Sequence, residues 1–118
     1  ARPILYGSYH PMSIFHRQAR TQSTALREVI VGGPLCESGD IFTQEEGGFV
    51  CTRSLPEAEV GDLLVNECAG AYGAVMGSNY NSKPLAAELL IHDGQVITIR
   101  DRQSFTQMTA GEHILSSN

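Results

Sequence analysis

Apolar residues along this chain come in short runs, and turn-forming residues close almost every one. The β-branched run over 27–31 reads as a strand that Gly32-Gly33-Pro34 ends. Residues 4–18 are mixed and interrupted by Pro11, which gives an extended run and then a strand over 13–17. Residues 20–23 read as a polar turn, and 49–52 as a short strand after the turn Glu45-Glu46-Gly47-Gly48. Residues 55–61 form an acidic, proline-containing loop, and Gly61-Asp62 turns into a strand over 63–66. One or two helical turns are expected over 71–76, opened by Gly70. Strands over 87–92 and 95–100 flank Asp93-Gly94, the strongest hairpin signal in the chain. A closing helix is expected over 103–108. Many short strands between Gly, Pro and Asp turns predict a mainly β fold, a small barrel or sandwich with one or two short helices. There is no internal repeat, low-complexity stretch or linker.

Composition agrees with strands and turns. The chain has 118 residues, enough for one domain, and is 42% hydrophobic with 12 Gly, 7% aromatic residues and no Trp. The formal net charge is -5 and no Lys/Arg block exists, which argues against a nucleic-acid partner. No apolar run is long enough to span a bilayer and no signal peptide opens the chain, so no membrane role is expected. Cys36, Cys51 and Cys68 are odd in number and irregular in spacing. That argues against a disulfide framework or a zinc site and for reduced thiols in a cytoplasmic protein.

Candidate chemistry centres on Cys36-Glu37-Ser38-Gly39-Asp40, a thiol beside a carboxylate in a polar turn after the apolar run that ends at Pro34. A thiol there can give or take a proton, and the carboxylate can tune it or bind a cation. An arbitrary Cys-Glu pair is more often a packed thiol next to a solvated acid. Three further segments change that balance: Arg2-Pro3-Ile4-Leu5-Tyr6, Ala69-Gly70-Ala71-Tyr72-Gly73 and Ser78-Asn79-Tyr80-Asn81.

Together these segments resemble the C-terminal domain of the diaminopimelate decarboxylases, pyridoxal-phosphate enzymes of the alanine-racemase fold class. The resemblance covers almost the whole chain and implies a C-terminal β-barrel domain over 1–118. It also implies roles. Cys36 would donate a proton to the carbon that loses CO₂. Glu37, where related ornithine and arginine decarboxylases usually carry Asp, would bind the ammonium at the far end of meso-diaminopimelate. Arg2 and Tyr6 would contact the distal carboxylate, a task suited to the planar fork of Arg. Tyr72 would lie against both substrate and cofactor, near the phosphate. Tyr9, His10 and the 79–81 segment are expected to support these groups. Lys83 stands where the family has Arg. Cys51, Cys68, His16, His92 and His113 have no motif around them and are expected to be structural.

In such enzymes a lysine holds pyridoxal 5'-phosphate as a Schiff base, and it lies on an N-terminal (β/α)₈ barrel that this chain lacks. Lys83, the only lysine, sits in the wrong motif to replace it. The chain therefore reads as part of a longer homodimeric enzyme of lysine biosynthesis, inactive alone, with active sites shared between subunits. Two alternatives remain open at this point. One is a related decarboxylase acting on another basic or carrier-bound amino acid. The other is a free-standing β-barrel that only binds.

Overall fold

The structure is a computed structural model and describes residues 6–17 and 25–115. The chain divides into two compact units, Ala1–Met76 and Gly77–Asn118. The expected turn at 20–23 lies outside the described residues.

In the first unit, β1 (Met12–Phe15) pairs antiparallel with β4 (Leu63–Asn66), from Met12 opposite Asn66 to Phe15 opposite Leu63. β2 (Leu26–Val29) pairs antiparallel with β3 (Arg53–Pro56), from Leu26 opposite Pro56 to Val29 opposite Arg53. β1 also packs beside β3. Ile14 and Leu55 are the buried hydrophobic core among the described residues. Around them a groove of about 650 Å³ stays open between Val29, Val31, Pro56 and Leu64.

The segment between β2 and β3 is threaded through one residue. Thr43 is fully buried, its hydroxyl accepts from the Val31 amide at 3.1 Å, and its carbonyl accepts from the Cys51 amide at 2.9 Å and thiol at 3.2 Å. The next turn is closed by Gly48 N–H donating to the Glu45 carbonyl at 3.0 Å. Gly47 and Gly48 there have φ of 86° and 84°, a region that favours glycine.

A second staple joins β1 to the turn before β4. The Asp62 carboxylate accepts from His16 Nδ1 at 2.8 Å, the Glu59 amide at 2.9 Å and the Arg17 amide at 3.2 Å. The His16 and Asp62 side chains are nearly enclosed, so His16 serves structure.

In the second unit, β5 (Glu88–His92) and β6 (Gln95–Arg100) form a hairpin with His92 opposite Gln95. Asp93 and Gly94 turn it with φ of 49° and 73°, the doubly positive pattern of a type I′ turn. The one-turn helix Phe105–Met108 starts with a capping box: Ser104 Oγ accepts from the Gln107 amide, and Gln107 Oε1 accepts from the Ser104 amide.

Most of the predicted elements appear with small shifts. Residues 13–17 become Met12–Phe15, 27–31 become Leu26–Val29, 63–66 match, and the helical turns at 71–76 shrink to a 3₁₀ turn, Ala74–Met76. One expectation fails. The strand placed at 49–52 reduces to a single bridge between Val50 and Gln44, and the strand begins instead at Arg53 and runs into residues 55–56, which read as the start of a loop. Burial of Leu55 holds that backbone extended. Pro56 ends the strand, a position where its missing N–H is tolerated.

The fold is mainly β with little helix, as expected, and among the described residues the strands do not close into a barrel. The described strands make three separate two-stranded ladders, β1–β4, β2–β3 and β5–β6. Strands this short leave large apolar side chains uncovered, among them Phe15, Leu63, Leu89 and Ile91.

Replacing Asp62 tests the β1 staple. Asp62→Ala leaves the nearly enclosed His16 Nδ1 without this acceptor and is expected to cost about 1–3 kcal/mol, read from denaturant unfolding. An unchanged midpoint at unchanged slope would show that the staple contributes nothing.

Candidate functional site

Cys36 sits on a tight hairpin loop whose ends are pinned by the bridge between Gly32 and Ile41. Phe42 N–H donates to the Val31 carbonyl and Gly33 N–H to the Asp40 carbonyl, both at 2.8 Å. Within the loop, the Glu37 amide donates to the Leu35 carbonyl at 2.9 Å and the Asp40 amide to the Glu37 carbonyl at 3.2 Å. The Asp40 carboxylate folds back and accepts from the Leu35 amide at 2.7 Å. It lies so close to Gly33 that a Cβ there would collide with it. From outside the loop, the buried Gln44 side chain donates to the Ser38 carbonyl at 3.4 Å.

The result is a small, internally bonded loop that presents an exposed thiol at Cys36 and a half-buried carboxylate at Glu37. Sequence reasoning singled out these two residues. It gave Gly33, Asp40 and Gln44 no part in holding the loop, where Asp40 and Gln44 bond to its backbone and Gly33 leaves room for the Asp40 carboxylate. An acidic residue closing a short loop opposite Gly-Gly-Pro was the available signal.

Tyr6 and Tyr72 come from distant parts of the first unit and meet. Their ring centroids are 5.3 Å apart with planes tilted by 36°, within the range of a favourable aromatic pair. Both rings stay substantially exposed, at 58% and 47%, so the pair can meet a ligand. A wide turn aims Tyr72: Ala74 N–H donates to the Ala69 carbonyl and Val75 N–H to the Gly70 carbonyl. Gly73 lies against the Ala69 carbonyl, where any Cβ would collide, which explains the glycine in Ala-Gly-Ala-Tyr-Gly. Arg2 lies outside the described residues.

The supporting residues have plain structural duties. The Arg53 guanidinium stacks 3.8 Å over the Tyr9 ring and donates to the His10 carbonyl at 2.7 Å. This fixes the segment that leads from Tyr6 into β1. In the second unit, Asn79 Nδ2 donates to the Lys83 carbonyl at 3.0 Å and to Gln103 Oε1 at 2.6 Å. Gln103 Oε1 also accepts from the Leu85 amide at 3.0 Å. The 79–85 segment is thereby tied to the residues before the closing helix.

A half-buried carboxylate beside an exposed thiol, and two hydroxyl-bearing rings side by side, can orient a cationic and anionic small molecule and move a proton. Comparison with known proteins gives that chemistry a family. Residues 1–70 match the family described as "Pyridoxal-dependent decarboxylase, C-terminal sheet domain". The chain belongs to this family. Diaminopimelate decarboxylase of Escherichia coli strain K12 is 53% identical over 112 residues, which cover 94% of this chain and 27% of that relative. A crystal structure of diaminopimelate decarboxylase superposes with a TM-score of 0.86 at 53% identity, covering 92% of this chain and 26% of that one. The Helicobacter pylori diaminopimelate decarboxylase, solved with L-lysine, gives 0.73 at 33% identity over 92% of this chain and 24% of that one. The chain thus spans about a quarter of the length of these relatives, over a mainly β fold that it shares with the family's sheet domain.

Proposed function

We propose that this chain is the C-terminal domain, and one half of the active site, of a diaminopimelate decarboxylase. The whole enzyme would remove the carboxylate at the D-centre of meso-diaminopimelate, releasing CO₂ and L-lysine, within lysine biosynthesis. The observation that carries this reading is the 53% identity to the E. coli enzyme over 94% of the chain. L-Lysine bound to the H. pylori relative is in keeping with it. The three thiols of the chain favour the reducing cytoplasm.

Each residue then has a task. The Glu37 carboxylate takes the ammonium at the stereocentre that keeps its carboxylate. Its half-buried position strengthens that charged contact relative to a fully solvated one. Arg2 pairs with the distal carboxylate through its fork, and Tyr6 adds a neutral donor. With both ends of the substrate held, only one carboxylate is left at the reacting position. Cys36 Sγ–H supplies the proton that replaces CO₂ on that carbon, and the exposure of the thiol leaves it reachable by substrate.

The residues also fit pyridoxal phosphate. Tyr72 presents a half-exposed phenol from a turn of small residues, and a neutral hydroxyl suits a phosphate oxygen. When bound, the cofactor supplies the electron sink for decarboxylation. Its lysine would come from the N-terminal (β/α)₈ barrel of the whole enzyme, since Lys83, the only lysine of this chain, stands in the motif Asn-Ser-Lys-Pro rather than in one suited to the cofactor. In the homodimer, Cys36 and Glu37 would serve the cofactor held by the other subunit, while Arg2, Tyr6 and Tyr72 serve their own.

Two variants of the full-length enzyme test these roles. Cys36→Ala should lower kcat by about 10²-fold, the usual contribution of a positioned general acid, with little change in substrate affinity. A kcat within about twofold of wild type would remove Cys36 as the proton donor. Glu37→Gln should erode the preference for diaminopimelate over 2-aminopimelate, which lacks the distal amino group, by about the 1.5–3 kcal/mol of a charged hydrogen bond. An unchanged preference would leave Glu37 as a neighbour that tunes the thiol.

A further inference from the structure

The geometry points to Asp40 as the positioning residue that sets where Cys36 and Glu37 stand, and so as a determinant of substrate selectivity. This rests on the reading of Cys36 and Glu37 as site residues, and adds a group that touches neither substrate nor cofactor. Three observations carry it. Asp40 spans both sides of the loop: its carbonyl accepts from the Gly33 amide at 2.8 Å, and its carboxylate from the Leu35 amide at 2.7 Å. Its own amide donates to the carbonyl of Glu37 at 3.2 Å. The carboxylate also fills the space where any side chain at Gly33 would project.

Cys36 lies between the two residues that Asp40 restrains, Leu35 through its amide and Glu37 through its carbonyl. The loop from Leu35 to Asp40 has no strand ladder of its own. Without the carboxylate, the Leu35 amide loses its acceptor and the remaining bonds leave the chain near Cys36 free to take other paths. A shift of an ångström at such groups costs catalysis heavily.

The test uses the full-length, pyridoxal-phosphate-loaded enzyme with Asp40→Ala, Asp40→Asn, Gly33→Ala and the Gly33→Ala/Asp40→Ala double variant. Steady-state rates on meso-diaminopimelate and 2-aminopimelate are combined with hydrogen exchange at the Leu35 amide. Asp40→Ala should raise KM for diaminopimelate and lower its preference over 2-aminopimelate, each about tenfold, and speed Leu35 exchange by at least that factor. Asp40→Asn keeps an oxygen for the Leu35 amide and should stay within about threefold of wild type on every readout. Gly33→Ala pushes the carboxylate aside and should mimic Asp40→Ala. In the double variant it should add almost nothing, because the obstacle is gone.

A residue that only stabilised the fold would lower kcat equally on both substrates, through the folded fraction, leave KM and selectivity unchanged, and speed exchange at Leu35 no more than at other protected amides. That pattern overturns the proposal. So does an Asp40→Ala enzyme with wild-type selectivity and exchange. Should Asp40→Ala not fold, Gly33→Ala against Asp40→Asn reads the same quantities. A wild-type enzyme with no activity on diaminopimelate would instead overturn the function itself, and the role of Asp40 with it.

Discussion

Thr43 has no exposed surface, and three parts of the first unit hang from it. Its hydroxyl holds the continuation of β2 at Val31, and its carbonyl holds Cys51 two residues before β3. Its chain neighbours, Phe42 and Gln44, bond respectively to Val31 and to the Cys36 loop. A buried hydroxyl or carbonyl that loses its partner costs about 1–3 kcal/mol, so this point of the chain has little freedom. The loop bearing Cys36 and Glu37 grows directly out of that restrained point. A thiol and a carboxylate can keep a defined separation on a short loop only if both ends of the loop are fixed, and here the Gly32–Ile41 bridge and Thr43 fix them.

The candidate site residues come as two constellations. Cys36 and Glu37 share one loop, and Tyr6 and Tyr72 share one ring contact. Each is built by local rules. The loop depends on an acidic side chain folding back on the Leu35 amide, and the ring pair depends on a turn in which Gly73 lies so close to the Ala69 carbonyl that no Cβ fits. Neither needs the other to form. That independence suits a domain whose groups would be divided between two composite active sites, each completed by a second subunit and a second domain.

How much of this was legible beforehand varied with the physics. The Asp93-Gly94 hairpin was readable because the turn needs two residues with positive φ, a demand few dipeptides meet. The strand Leu63–Asn66 was readable for a similar reason, since Gly61-Asp62 marks its start. β3 was hidden: its last residues, Leu55-Pro56, carry a breaker, and the burial of Leu55 in a strand packed beside β1 goes with an extended backbone there. Barrel closure also could not be judged from apolar alternation, which says that a strand has a buried face but not what covers it. Cys36, Glu37, Tyr6 and Tyr72 were singled out as candidates because their motifs are specific. Asp40, Gly33 and Gln44 were not, because hydrogen bonds from side chain to backbone across a loop leave no period in the sequence.

The central claim is that this chain supplies half of a shared active site, and subunit mixing tests it most directly. A full-length Cys36→Ala enzyme keeps the cofactor lysine, and a variant lacking that lysine keeps Cys36. Each alone should be nearly inactive. After random subunit exchange about half the dimers are mixed and carry one complete site in two, so activity should approach about a quarter of wild type, assuming independent sites. If subunits exchange and activity does not return, Cys36 works on the cofactor of its own chain and the shared-site account is wrong.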